Sequence, residues 1–466
     1  MKTSIIDDVA LAEIKDNFDG EIITTRDPAY EMGRKVWNGL IDKFPAVIAR
    51  CMTIADIKKI LAFCREHDHE MAVRGGGHNI AGYGTSDGGI VLDLSLMNKV
   101  EVSPEERTVT VQSGARWKDV DPKTQHYGLA TPGGEVSDTG VAGLTLGGGV
   151  GYLRRLYGLS CDNLLSVNII TADGELRRAD EKTNQDLFWA LRGGGGNFGI
   201  VTDLTFQLHP VGPVVTTLNP MFSADQTRKT LETWYDFTRS APDEASTAFG
   251  VWSVPSHPDI PNQLHGVPIS FFDGVFCGKE EVGTELFLPL RKCGKTLLDL
   301  SGQAPYLQVQ TAFDEFMQTG DLYYWKSLFL NELDEDFMET FLSWTGRIPS
   351  PRILVIIRHL GGAIARIGEN ETAYHNRKAQ YMVSIDGAWT DPIETERNIE
   401  WIRNFWEALN IHSDGGVYLN FPGLEEKDRD IWKKSHGSNF NRLKAVKQKY
   451  DPTNFFRVNQ NINPQD

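Results

Sequence analysis

The stretch RGGGHNIAGYGTSDGGIVLDLS, residues 74–95, sets glycines at 75, 76, 77, 82, 84, 88 and 89 around one histidine, His78. MAVR (Met71–Arg74) at its start and IVLDLS (residues 90–95) at its end are short apolar runs that read as strands. Two familiar signatures fail on this context. GTSDG (Gly84–Gly88) matches the G-x-S-x-G nucleophile elbow as a string, but the elbow needs strand, turn, then helix, and Ser86 is followed by a strand. The dinucleotide fingerprint likewise needs a helix after its glycines. A GxxxxGK phosphate loop and an HExxH zinc motif are both missing from the sequence.

Upstream, Ala46–Arg50 (AVIAR) reads as a buried strand. Thr53 then caps a helix, with Asp56 three residues on, and Ile57, Ile60, Leu61 and Cys64 follow at helical spacing. Together with Met71–Arg74 this makes a βαβ-like unit, and the glycine loop begins where its second strand stops. Downstream, residues 100–102 and 108–114 form a hairpin across SPEER, and residues 117–127 a short helix. NIITADGELRRA, from Asn168, is a hairpin turning at Asp-Gly. Gln185–Leu191 reads as a helix, and RGGGGNFGIVTDLTFQL as a glycine turn feeding a strand.

Three glycine clusters therefore fall in one stretch, near residues 75–84, 140–151 and 193–199. A dinucleotide pyrophosphate needs several backbone N–H donors at close range, and glycine lets the backbone approach that near. The pattern favours a cofactor cradle. It leaves His78 open: a loop histidine bonded to the backbone, or an imidazole presented to a ligand on the loop.

Past Pro210 glycine thins out. Amphipathic stretches such as TRKTLETWYDFTRS alternate with strands such as RILVIIRHL. The chain reads as residues 1–210, a second domain over 211–412, and a C-terminal segment over 413–466, in which a helix stops at Asp451-Pro452. The charge balance is −16, a field that repels nucleic acid and anionic lipid. The five cysteines (Cys51, Cys64, Cys161, Cys277 and Cys293) include no CxxC pair, so neither a disulfide framework nor a metal site is expected. The first twenty residues carry no apolar leader, and no run approaches the ~18 apolar residues of a membrane span. A cytoplasmic protein, monomer or homodimer, with no membrane or nucleic-acid partner is expected.

The loop at residues 74–98 resembles the flavin-attachment loop of the berberine-bridge-enzyme-like oxidases, within the vanillyl-alcohol-oxidase (PCMH-type) FAD superfamily. SDTGVAGLTLGGGVGYLRRLYGLSCDNLL, RGGGGNFGIVT and YDPTNFFRVNQNI resemble the family's other three motifs, in the family's order. The resemblance implies an α+β fold: a PCMH-type FAD domain and a substrate domain built on an antiparallel sheet backed by helices. It implies FAD bonded to His78. Arg74, Gly75, Gly76, Gly77, Asn79, Gly82 and Tyr83 would wrap the pyrophosphate, and Ser137, Asp138, Gly143 and Gly148 would line the other side. Val201 would offer backbone hydrogen bonds, and Asn459 would close over the flavin.

One departure is informative. Many relatives carry a second flavin bond through a cysteine in a C-P-T-V-G stretch, and the matching residues here are Val136 to Gly140 (VSDTG). Val136 forms no such bond, so attachment through His78 alone is expected, with Cys161 a packed thiol. Thr139 falls where relatives gate oxygen, which bears on oxidase against dehydrogenase.

For the reaction, the resemblance implies Tyr418 (in VYLNF) as the base, tuned by Lys378 and helped by Gln380, with Tyr152 lining the pocket. Tyr418 is otherwise an aromatic packed on the flavin, Lys378 a surface lysine and Tyr152 core. Tyr323, Tyr324, Trp325 and Trp389 are either an aromatic pocket lining or core. The implied activity is oxidation of an alcohol or hemiacetal carbon of a sugar or natural product, with O2 returning as H2O2. Amine C–N oxidation and a drug-binding resistance flavoprotein are the alternatives.

Overall fold

The computed structural model describes residue 6 and residues 8–413, 415–424 and 429–465. The reading of the first twenty residues thus rests partly on residues outside the described ones. Among the described residues, no helix is long and apolar enough to cross a membrane.

The sequence around His78 folds as its punctuation dictates. Helix Ile54–Glu66 opens on a capping box: Thr53 Oγ1 accepts from the Asp56 N–H at 3.2 Å, and the Asp56 carboxylate accepts from the Thr53 N–H at 3.0 Å. Strands Val47–Arg50 and Met71–Arg74 flank it. They do not pair with each other, as a simple βαβ unit would have them do. Strand Ile90–Asp93 inserts between them, parallel to both. The glycine loop is the connection that lets the chain come back into that gap. Strand Glu21–Thr24 adds antiparallel at the edge. Ser86 precedes a strand, as expected, and its hydroxyl donates to Glu70 at 2.7 Å.

A second, five-stranded antiparallel sheet runs in the order Val100–Ser103, Thr108–Gln112, Ile200–Gln207, Leu164–Ile170, Leu176–Asp180. The second glycine cluster is not all loop: its first half is helix Val141–Leu146.

From Val214 to Trp389 a nine-stranded antiparallel sheet forms, with Tyr381–Trp389 between Leu354–His359 and Leu322–Leu330. Period-2 alternation gives this sheet two faces. Val355, Ile357, Val383, Ile385 and Tyr324 pack in the core formed with helices Thr227–Thr238, Glu335–Thr345 and Thr395–Asn410. Leu354, Ile356, Trp325 and Ala388 point the other way, toward the glycine loops. The molecule is α+β, with helices backing an antiparallel sheet.

The C-terminal segment is fastened by a buried cation. Lys447, with no exposed side-chain surface, donates to Asp451 at 2.7 Å and to the Asn197 and Phe456 carbonyls, each at 2.8 Å. Lys447→Met leaves the Asp451 carboxylate buried without its partner. The expected cost is about 3–5 kcal/mol, read as a lower midpoint in chemical denaturation.

Candidate active site

A long cavity lies between the three glycine clusters and the inward face of the nine-stranded sheet, with residues 418–421 and 456–460 forming part of its wall. Its glycine-loop wall is built by close backbone approach. A Cβ on Gly76 would come 2.5 Å from the Gly140 backbone, and one on Gly140 would meet Gly76 at the same distance. Glycine at both positions is what lets the first and second loops touch. Gly77 adopts φ +69°, which turns the chain so that His78 faces inward.

Arg74 ends its strand with the guanidinium on Asp93 and on the Gly33 carbonyl, each at 2.7 Å. It holds the loop's entry rather than offering a free cation. The His78 ring stacks on Trp37 at 4.0 Å, and Trp37 stacks in turn on Tyr323 at 3.7 Å. Asn38 ties this stack across the molecule, donating to the Ile80 and Tyr323 carbonyls. Burial lowers the imidazole pKa to about 4, with Asp138 opposing and Arg116 adding to the shift, so His78 is neutral at ordinary pH.

The third cluster folds under the second: the Gly193 and Gly195 N–H groups both donate to the Leu146 carbonyl. The C-terminal segment then locks on, with Asn459 Nδ2 donating to the Gly196 carbonyl at 3.0 Å. The strand carrying Val201 has a register irregularity between Val201 and Asp203, where it lines the cavity.

Arg74, Gly75, Gly76, Gly77, His78, Asn79, Tyr83, Gly143, Val201, Asn459 and Tyr418 all line this one cavity. Seven other expected residues do not. Gly82 turns against the Ile41 side chain. Ser137 binds Asp314 through its N–H at 2.8 Å and its hydroxyl at 2.5 Å. Asp138 faces the outer side of the loop, paired with Arg116 and with Lys118. Gly148 is covered by the Tyr374 ring. Tyr152 is packed with Leu153, Val211 and Tyr306. Lys378 is 78% exposed and pairs with Glu369, so it cannot tune Tyr418. Gln380 donates to the Lys378 carbonyl, away from the cavity. Both precede the strand, which begins at Tyr381.

The Tyr418 hydroxyl oxygen accepts from the Gly149 and Val150 N–H groups at 3.0 Å and from Asn420 Nδ2 at 2.8 Å. Burial nonetheless raises its pKa to about 12, so these three bonds do not make it a phenolate near neutral pH.

The sheet-side wall of the cavity holds a charged group that the sequence reading missed. Arg358, Met382 and Asp386 sit on the inward face by strand register, where Leu354 pairs with Asp386 and Arg358 with Met382. Arg358 binds Glu135 at 2.7 Å and the Ser384 hydroxyl at 2.7 Å. Burial alone would raise the Glu135 carboxyl, but Arg358 and Arg154 hold it below its ordinary range. Asp386 is different. Its Oδ2 accepts from Ser384 at 3.0 Å, its Oδ1 has no partner, and burial raises its pKa to about 6 against the pull of Arg358. The signal was present in YMVSIDGAW, where Ser384 and Asp386 alternate with Val383 and Ile385 on a strand.

The residues present fit a large polar cofactor. His78 Nε2, Ser113 Oγ, Trp325 Nε1, Asp386 Oδ1 and Asn459 Oδ1 are buried, line the cavity and lack a protein partner. A Cβ on Gly143 or Gly196 would meet no protein atom within 4 Å, so the backbone there borders open space in the cavity.

Comparison with known proteins agrees with this geometry. Residues 45–180 match an FAD binding domain family, and residues 417–463 the berberine and berberine-like family. The chain is 30% identical to the uncharacterized FAD-linked oxidoreductase YgaK of Bacillus subtilis, over 97% of this chain and 98% of that one. It is 38% identical to (R)-6-hydroxynicotine oxidase of Paenarthrobacter nicotinovorans over 190 residues, 41% of this chain and 42% of the relative. The crystal structure of 6-hydroxy-D-nicotine oxidase from Arthrobacter nicotinovorans superposes with a TM-score of 0.85 at 26% identity, covering 96% of this chain and 98% of that one. On that likeness, which runs nearly end to end, the chain belongs to the FAD-linked oxidoreductases of the berberine-bridge-like family.

Proposed function

We propose that FAD is bonded to this chain through His78 alone, and that the protein oxidises an alcohol or hemiacetal carbon with Asp386 as proton acceptor. The observation that carries the reading is Asp386 Oδ1: a buried carboxylate oxygen with no protein partner among the described residues, on a residue that lines the cavity from the sheet side. A pKa of about 6 leaves it ionised at neutral pH yet close enough to take a proton, the balance a general base needs. The substrate hydroxyl gives its proton to Asp386 while the carbon gives up a hydride. The bound flavin supplies the two-electron acceptor, and O2 takes the electrons on as H2O2.

The chain's other residues fit this assignment. A neutral His78 imidazole is a competent nucleophile for a covalent bond to the cofactor. Val136 lines the cavity and is aliphatic, and Cys161 is buried outside it with its thiol pKa raised well above the ordinary value by burial. Thr139, at the oxygen-gating position, lines the cavity as well. Tyr418, a phenol throughout the physiological range, holds the second glycine loop at Gly149 and Val150. Anaerobic mixing with a panel of alcohols and sugars tests the reading. Bleaching of the yellow colour followed by H2O2 on admission of air is expected. A panel in which amines bleach and every alcohol fails overturns it in favour of amine C–N oxidation, the reading that the likeness to (R)-6-hydroxynicotine oxidase favours.

The cradle itself is testable. Gly143→Val adds a branched side chain to a residue that lines the cavity, where an added Cβ would meet nothing beyond its chain neighbours and its own helix backbone within 4 Å. The variant is expected to fold, with an unchanged far-ultraviolet circular dichroism spectrum, and to purify with less than about a tenth of the flavin. This follows because a side chain in space the cofactor would fill overpacks the loaded site, at a cost of about 1–3 kcal/mol.

A further inference from the structure

Most of the polar groups on the sheet-side wall of the cavity are committed. The Arg358 guanidinium is used by Glu135 and Ser384, and Glu135 by Arg358 and Arg154. Asn420 Nδ2 is used by the Leu144 carbonyl and Tyr418. Among the described residues two buried side-chain atoms here have no protein partner: Asp386 Oδ1, an acceptor, and Trp325 Nε1, a donor. They belong to directly paired residues, since Trp325 stands opposite Asp386 in neighbouring antiparallel strands. Side chains so paired share a face and lie side by side. The indole is held by Phe421, edge-on at 4.9 Å, and by Trp37 at 5.6 Å. Around this donor–acceptor pair the surface is apolar: Phe313, Met317, Leu354, Met382 and Phe421.

We infer that the substrate is a mainly apolar molecule bearing one hydroxyl, which donates to Asp386 and accepts from the Trp325 indole N–H. The inference rests on the alcohol-oxidising reading above and narrows it. A sugar carries many hydroxyls, and in this cage all but one would be stripped of water with nothing in return. A carbinol on an aromatic or aliphatic frame loses no such bonds, gains apolar contact, and has its single hydroxyl fixed beside the base.

The holoenzyme tests this with benzyl alcohol, benzyl methyl ether, toluene, glucose and cellobiose as probes. Binding is followed by perturbation of the flavin absorption, and turnover by anaerobic bleaching. Benzyl alcohol is expected to bind and bleach, and the two sugars to do neither. Trp325→Phe keeps an aromatic ring and removes the donor. It should weaken benzyl alcohol and benzyl methyl ether about tenfold and leave toluene binding unchanged. Equal weakening of toluene would reduce Trp325 to a packing residue and overturn the pair. Bleaching by glucose or cellobiose but not by benzyl alcohol would overturn the apolar class while leaving alcohol oxidation standing. Bleaching by N-methylbenzylamine with no alcohol active would overturn the parent reading, and the inference with it.

Discussion

Asp386→Asn is expected to slow anaerobic reduction of the flavin by about two to four orders of magnitude, the usual range for loss of a general base, in a protein that stays yellow and folded. The amide is the same shape and can keep the Ser384 hydrogen bond, but it cannot take up a proton. The pH dependence makes the prediction specific. With the Asp386 pKa raised to about 6 by burial, the base form accumulates as pH rises, so the rate of the parent protein climbs through about pH 6 and levels off above it. The variant should lose that inflection. Stability runs the opposite way. A carboxyl whose pKa is higher folded than unfolded favours the folded state fully below its ordinary pKa, near 3.9, and loses that contribution as pH rises through about 6. At pH 7.5 Asp386 is therefore a net liability, and the Asn variant should melt no lower than its parent. A slow variant that also melts early would point to structural damage. An unimpaired variant would remove Asp386 from the reaction.

His78→Ala is expected to abolish covalent flavin altogether. Acid precipitation of the parent should leave the yellow colour in the pellet, with an FAD mass on the peptide containing His78. The variant's flavin should appear in the supernatant. The other glycine-loop contacts remain, so weak non-covalent binding with a lowered redox potential is expected to survive. The imidazole pKa is about 4, so the ring is already neutral at pH 5 and above. Covalent incorporation into apoprotein should accordingly be insensitive to pH between about 5.5 and 8. An FAD adduct on Cys161, or free flavin from the parent, would defeat the assignment.

The His78 loop was legible in the sequence because glycine at fixed spacing states a backbone requirement directly. The Gly76–Gly140 approach and the φ of Gly77 are what those letters encode. The helix from Ile54 was legible for a similar reason: Thr53 and Asp56 close a local capping box. The substrate end was harder. Lys378 and Gln380 were chosen from a motif, and their position relative to the strand start decides their fate. They fall before Tyr381, where the strand begins. At the same parity, four and eight residues past Lys378, lie Met382 and Asp386, both lining the cavity. Tyr418 lines the cavity, but its environment is set by Gly149 and Val150, some 270 residues earlier, and no local pattern reports that. Orphaned atoms such as Trp325 Nε1 are equally invisible in sequence, since being unpartnered is a property of everything around a side chain.

The wall supplied by residues 418–421 and 456–460 has a consequence for how the cofactor is taken up. Lys447 and Asn459 fasten this segment to the Asn197 and Gly196 carbonyls, and the Gln460 carbonyl accepts from Asn197 Nδ2. Until it docks, the glycine loops form an open trough and not a cavity. Docking of this segment and flavin loading are therefore coupled. The segment acts as a latch that would keep the proposed His78 bond from water.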